Sequence, residues 1–441
     1  MKNNNQTLWA FAVSLAGFLF GFDTVVISGA NLPIKELWDT SPLFHGTFIM
    51  SMALWGTVVG SLFGGIPSQR IGRKNTLIWI GILYFVSAVG SGIATDPYMF
   101  SFFRFIGGLG VGASTVAGPT YISEISTAKN RGKLVALYQF NLVFGILLAF
   151  VSNYLLKGFD GGNDWRWMLG VEAIPAAIYF FTVLWIPKSP RWLVTVKNNT
   201  EEAKSILMKM DIEDPEKELN EIVKAEHLDQ QKESFFVKYK TPIILAFLLA
   251  FFNQLSGINF VLYYAPEILS MAGLASKESL FNSIAIGGTN LIFTFVGLYF
   301  IDRTGRKSLL IIGSVGYIIS LLMIAFSFYA SLGSTVLVVS IMVFIASHAV
   351  GQGAIIWVFI AEIFPNHVRS FGQAWGTGIH WIFAALITLL GPVVIDVFKA
   401  NPWPIFAIFA GVMVFQLIFA MFMMPETKGE TLENIQKKLG I

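Results

Sequence analysis

GGIPSQRIGRK, residues 64–74, and GLYFIDRTGRK, residues 297–307, match at an offset of 233 (307 − 74). Each stretch ends an apolar run and closes on Gly-Arg-Lys, so they read as one loop used twice. Two further landmarks recur in the same order. Glu124 and Arg131 are answered by Glu362 and Arg369, and Pro187-Lys188-Ser189-Pro190 by Pro425-Glu426-Thr427-Lys428, both at an offset of 238 (362 − 124). Three matched landmarks in one order mean two homologous halves lying in tandem.

Working outward from the repeat, the chain is 55% hydrophobic and 13% charged, with 41 Phe among 441 residues and a mean hydropathy of +0.66. A soluble domain carries about a quarter charged residues, so this is a polytopic membrane protein in contact with a lipid bilayer. Windows of about 20 apolar residues predict twelve spans. Six lie near 7–32, 44–68, 75–95, 98–123, 133–156 and 167–187; six more lie near 241–270, 279–301, 307–330, 334–362, 370–397 and 403–424. The first apolar run lacks a small-residue cleavage site and is taken as a span. The expected organisation is a six-helix bundle over 1–187, a linker over 188–240, a second bundle over 241–424 and a tail over 425–441. The linker contains EEAKSILMKM and EKELNEIVKAEHLDQQKE, apolar residues at helical spacing within charge, and reads as short amphipathic helices on the membrane surface.

Short loops set orientation. Arg70, Arg73 and Lys74, then Lys129, Arg131 and Lys133, then Arg303, Arg306 and Lys307, and finally Arg369, fall on one side. The opposite loops hold little beyond Lys35, Lys157, Lys277 and Lys399. Both termini and the linker are therefore expected in the cytoplasm, and the short tails suit a bacterial inner membrane. Parallel halves with a site at their interface describe a rocking, alternating-access transporter. Absent cysteine excludes disulfides and thiolate metal sites. No nucleotide loop, metal cluster or nucleophile–base pattern occurs, so an enzyme, a cofactor, a bound metal and a nucleic-acid partner are not expected, and the chain is read as working as a monomer.

Within the seventh span, residues 251–266 read FFNQLSGINFVLYYAP. Polar amides in hydrocarbon are costly unless something hydrogen-bonds them. Helix–helix glue accounts for one or two such residues, not for Asn253, Gln254, Ser256, Asn259, Tyr263 and Tyr264 around Gly257. A carboxamide offers two donors and an acceptor, which suits vicinal hydroxyls. Asn253 and Gln254 lie about 18 Å into the span, near the midplane, and Asn259 and Tyr263, four apart, share a face. The row is read as a site for a polyhydroxylated ligand.

Ionisable residues inside spans are functional candidates. Asp23, Arg104 and Glu172 lie about nine, seven and six residues from the outer ends of spans one, four and six, hence at similar depth. Two acids around one arginine leave one negative charge for a proton to neutralise. The alternative is an Asp23–Arg104 ion pair that stays closed. At the basic ends, beside Arg70, Arg73, Arg303 and Arg306, inter-helix pairs are expected of Glu124 with Arg131, Glu362 with Arg369 and Asp302 with nearby basic residues. Such pairs fit a gate that opens when they break, although the arginines also set topology.

The chain resembles the sugar porters of the major facilitator superfamily over nearly its whole length. The resemblance rests on GFDTVVISG at 21–29, RFIGGLGVG at 104–112, KSPRWL at 188–193, QLSGIN at 254–259 and PETKG at 425–429, with the loop repeat, Pro119–Glu124 and Glu362–Pro365. It implies an all-α membrane fold of twelve helices in two pseudosymmetric six-helix bundles. It also implies import of a small sugar, pentose or hexose, by proton symport; the alternatives are a facilitative uniporter or a non-transporting sensor. Proton-coupled members carry an acid at the Asp23 position, where facilitative members typically carry an amide. By resemblance the sugar contacts add Phe20, Gln139, Asn290, Gly353, Trp357 and Trp381. Departures are Gln69 and Lys188 where acids are usual, Asn253 where Gln is usual, Ile146 where many members have a second Gln, and Ala354 for Pro, predicting a softer kink in span ten. His380 replaces a common amide; it either bonds sugar, titrates or is structural.

Overall fold

The computed structural model describes residues 5–127, 130–210, 212, 214–226, 238–365, 368–430 and 432–440. Among them, eleven helices are long and apolar enough to cross a membrane, and a bent pair brings the number to twelve. They are Asn5–Leu37, Arg73–Ile93, Pro97–Glu124, Arg131–Leu156, Gly161–Leu184, Lys240–Met271, Ser276–Thr304, Arg306–Tyr329, Ser334–Ile363, Phe371–Phe398 and Trp403–Phe422. The pair Pro42–Met50 and Met52–Phe63, bent by 42°, supplies the second span. The twelve-span expectation holds, and the described residues contain no strand.

Breaks fall where the backbone demands them. Gly257, at φ +84°, divides the seventh span into Lys240–Leu255 and Ile258–Met271. A Cβ there would lie 2.8 Å from the Phe409 ring, so conformation and space both require glycine. Span ten is interrupted as well, without the proline. Gly351 separates Ser334–Val350 from Gln352–Ile363, and its Cα side packs on Gly313, where a Cβ would come within 2.9 Å.

The repeat is visible in the backbone. Gly72 at φ +92° opens Arg73–Ile93, and Gly305 at φ +99° opens Arg306–Tyr329. Between the halves lie Pro190–Thr195, Thr200–Lys209 and Pro215–Glu226. The first two are capped by Ser189 and Asn199, whose side chains accept from Trp192 N and Glu202 N. The linker stretch 227–237 and Lys129 lie outside the described residues.

By packing, the chain groups into two compact units. One comprises Met1–Thr24, Met52–Ile146 and Arg166–Lys232; the other comprises Val25–Ser51, Leu147–Trp165 and Glu233–Ile441. In the first, the second and fourth spans run backbone to backbone through Gly56, Gly60, Gly108 and Gly112. In the second, the end of the first span packs on the fifth at Gly29 and Asn153, and Gly46 packs on Leu389.

Candidate functional site

In the first unit, Arg104 and Asp23 form a buried ion pair through Nη1 and Oδ1, each residue 2% exposed. Arg104 Nη2 also donates to the Asp23 carbonyl at 3.2 Å. Glu172, equally buried, interacts electrostatically with both, and its Oε1 has no hydrogen-bond partner among the described residues. Gly107, one turn along from Arg104, leaves room for Ser87 Oγ beside Asp23. The three charges predicted at similar depth therefore meet at one place. Of the sugar contacts implied by resemblance, Phe20 is buried and Gln139 half-buried in this same unit.

In the second unit the amides of the broken seventh span are buried with His380 and Trp381, beside the half-buried Trp357. Gln254 Nε2 donates to Asn253 Oδ1 at 3.0 Å and lies 3.1 and 3.3 Å from the two His380 ring nitrogens. His380 in turn packs against Trp357 and Trp381, with ring centroids 5.0 and 4.8 Å apart. Asn259, Tyr263 and Asn290 are buried, and the Asn259 amide nitrogen has no hydrogen-bond partner among the described residues. Gly353 rests against His348, where a Cβ would sit 3.2 Å from its carbonyl oxygen.

Asn253 behaves differently from its neighbours. Both ends of its carboxamide are engaged, since Nδ2 donates to Gln352 Oε1 at 3.3 Å while Oδ1 accepts from Gln254. Behind it, Gln352 Nε2 donates to Gln416 Oε1 at 2.9 Å, and Gln416 Nε2 donates to Ser314 Oγ at 2.8 Å. Sequence reading missed Gln352, Gln416 and Ser314. The signal was present: Gln416 is a lone amide in VMVFQLIFAMF, and an amide in hydrocarbon calls for a partner wherever it stands.

At the basic ends, each unit carries one acid–arginine cluster. Arg73 Nη2 meets Glu124 at 2.8 Å, and Ser189 Oγ donates to the other carboxylate oxygen at 2.6 Å. Arg306 Nη2 meets Glu362 at 2.8 Å, and Thr427 Oγ1 donates to that carboxylate at 2.6 Å. Glu124 and Glu362 thus take Arg73 and Arg306 as partners, not the expected Arg131 and Arg369, because the loop arginine that follows each glycine turn reaches the acid first; Arg70 and Arg131 are exposed and Arg369 is half-buried. Asp302 pairs with Arg306 at 3.0 Å, and Arg303 lies over the Tyr299 ring.

One departure, Lys188, falls beside the first of these clusters, and its counterpart in the repeat, Glu426, falls beside the second. Glu426 accepts from the backbone N–H groups of Arg306, Lys307, Thr427 and Lys428 at 2.9–3.1 Å, capping the helix opened by Gly305. Lys188 stands at the equivalent place and pairs instead with Glu202 at 3.2 Å. Burial alone would raise the Glu426 carboxyl, but four backbone donors outweigh it and hold the group below the usual glutamate range. A depressed folded-state pKa stabilises above the unfolded value, about 4.3, and that contribution disappears as pH falls through the folded value. Glu426→Gln is therefore expected to lower the Tm at neutral pH, with the difference from wild type closing as pH drops through the carboxylate range. An equal difference at every pH would contradict the capping role.

A family model described as "Sugar (and other) transporter" matches residues 9–439, and the chain belongs to that family. The arabinose-proton symporter of Bacillus subtilis is 35% identical over 436 residues, covering 97% of this chain and 93% of the relative. The D-xylose transporter of Levilactobacillus brevis is 34% identical over 439 residues, covering 97% and 94%. Among solved structures, the partially occluded inward open xylose transporter XylE from E. coli superposes with a TM-score of 0.87 at 30% identity, covering 97% of this chain and 100% of that one. The fold is the major facilitator fold, the family is one of transporters, and the chain is a multi-pass membrane protein.

Proposed function

We propose that the protein imports a small sugar, pentose or hexose, by proton symport, with both termini and the linker in the cytoplasm. The observation that carries the reading is the buried Asp23–Arg104–Glu172 group. With both acids ionised, the group holds a net negative charge inside the membrane, which is costly. One bound proton removes that charge. Asp23, paired with the only nearby guanidinium in the group, is assigned as the coupling acid, with Arg104 and Glu172 setting its environment.

Sugar is assigned to the amide and aromatic face of the second unit, where Gln254, Asn259, Asn290 and His380 take hydroxyls and Trp357 and Trp381 cover apolar C–H faces. The names of the arabinose and xylose relatives support this substrate class. Arg73–Glu124 and Arg306–Glu362 act as gate pairs on the cytoplasmic side, with Arg70, Arg131, Arg303 and Arg369 setting orientation. The protein works as a monomer.

The test is uptake by proteoliposomes of labelled D-xylose, L-arabinose, D-glucose and myo-inositol, with and without an imposed pH gradient. Accumulation of at least one sugar above its external concentration, only under the gradient, is expected. Uptake that merely equilibrates under every condition indicates a uniporter, and binding without flux indicates a sensor.

A further inference from the structure

The amide chain behind Gln254 has a direction, and a single backbone carbonyl sets it. Ser314 Oγ donates its one hydrogen to the Leu310 carbonyl at 2.7 Å. A hydroxyl whose proton is so used can only accept from another neighbour, so Gln416 must present its NH2 to Ser314 and its oxygen the other way. That oxygen faces Gln352 and needs a donor, so Gln352 turns its NH2 to Gln416 and its oxygen to Asn253. Asn253 then donates to Gln352 and offers its oxygen to Gln254. Gln254 must supply NH2, one hydrogen to Asn253 and the other to His380. Its Oε1 is left as a buried acceptor with no partner among the described residues. Turning any one amide would set oxygen against oxygen or nitrogen against nitrogen within the chain, which is costly in a buried network.

We propose that Ser314, Gln416 and Gln352 are positioning residues that commit Gln254 to accept, and never donate, a hydrogen bond at the sugar site. Asn259, five residues on, has an amide nitrogen with no partner among the described residues and supplies the complementary donor. The site therefore asks for one hydroxyl that donates to Gln254 and another that accepts from Asn259. This rests on the sugar reading of the same face. It goes further in assigning each amide a polarity and in placing the cause of that polarity in spans nine, ten and twelve, away from the ligand.

Fluorine in place of a sugar hydroxyl can accept weakly and cannot donate, so deoxyfluoro sugars read this polarity directly. The probes are whichever of D-xylose, L-arabinose and D-glucose binds best, and its monodeoxy-monofluoro derivatives. Binding is measured at equilibrium in detergent, so the result does not depend on proton coupling. In wild type, fluorination at one position is expected to weaken binding at least tenfold. In Gln416→Leu, and in the milder Ser314→Ala, the Gln254 amide is free to turn and that ratio falls severalfold, whatever happens to affinity for the parent sugar. Gln416→Glu, measured at a pH where its carboxyl is protonated, keeps a donor for Ser314 and an acceptor for Gln352, and restores the ratio. A flat fluorine profile in a sugar-binding wild type, or an unchanged ratio in both relay variants, overturns the relay alone. Failure of wild type to bind any of the three sugars overturns the sugar reading and the relay with it.

Discussion

Asp23→Asn is expected to abolish uphill sugar accumulation while leaving downhill exchange and sugar binding in place. Asn keeps a carbonyl oxygen for Arg104, so the buried hydrogen bond survives, and Arg104 is then balanced by Glu172 alone. The group becomes neutral with no proton bound, and nothing remains for a proton gradient to act upon. One pH unit supplies about 1.4 kcal/mol per proton, about tenfold in concentration ratio. At that gradient a one-proton wild type should approach tenfold accumulation, and the variant should stay near the external concentration. Wild-type accumulation by Asp23→Asn in proteoliposomes would remove Asp23 from the coupling step. It would leave the Asp23–Arg104 pair as a fixed structural tie.

Gly108→Val should prevent recovery of folded protein. A Cβ at Gly108 would stand 1.9 Å from the Ala53 carbonyl oxygen, and the neighbouring positions are as tight: Gly56 meets Phe105 O at 2.2 Å and Gly112 meets Thr57 O at 2.3 Å. In lipid, helices associate largely through close backbone packing at small residues. The obstacle here is main chain, which cannot turn aside like the end of a side chain, so the two spans must separate along the seam. Overpacking costs about 1–3 kcal/mol even in cores that adjust, occasionally more, and this seam belongs at the upper end. Gly65→Ala is the control. It lies in the short helix Gly65–Arg70 with nothing within 4 Å of a Cβ, and should be neutral or gain up to about 1 kcal/mol. Size-exclusion profiles and Tm in detergent distinguish the two; equal behaviour of both variants would show that the seam yields.

Much of the candidate site is legible in the residues because it is written in helical arithmetic. Asp23, Arg104 and Glu172 share a depth by counting 1.5 Å per residue from their span ends, and a group placed at one depth needs only adjacent helices to meet. Gly257 marks its own bend, since a glycine amid amides in a long apolar run is where a helix gives way. The gate acids are legible as acids but not as pairs. Glu124 and Arg131 are seven apart across a helix end, while Arg73, its partner in the structure, is 51 residues away. Span ten is broken at Gly351 without proline, and glycine is required there because it meets Gly313 on another helix, a fact about neighbours that local sequence does not carry.

Taken alone, the residues determined that the chain crosses a bilayer about twelve times, that its halves repeat, and where polar and charged groups lie buried within the spans. Those follow from transfer free energies, rise per residue and loop charge, all of which act locally along the chain. Only tertiary structure decided which buried groups hold one another. Gln352 and Gln416 are 64 residues apart, and Gln416 and Ser314 are 102 apart. No periodicity relates such positions, because their meeting depends on which helix faces pack together. In the absence of water, each amide must take its partner from whichever side chain that packing supplies.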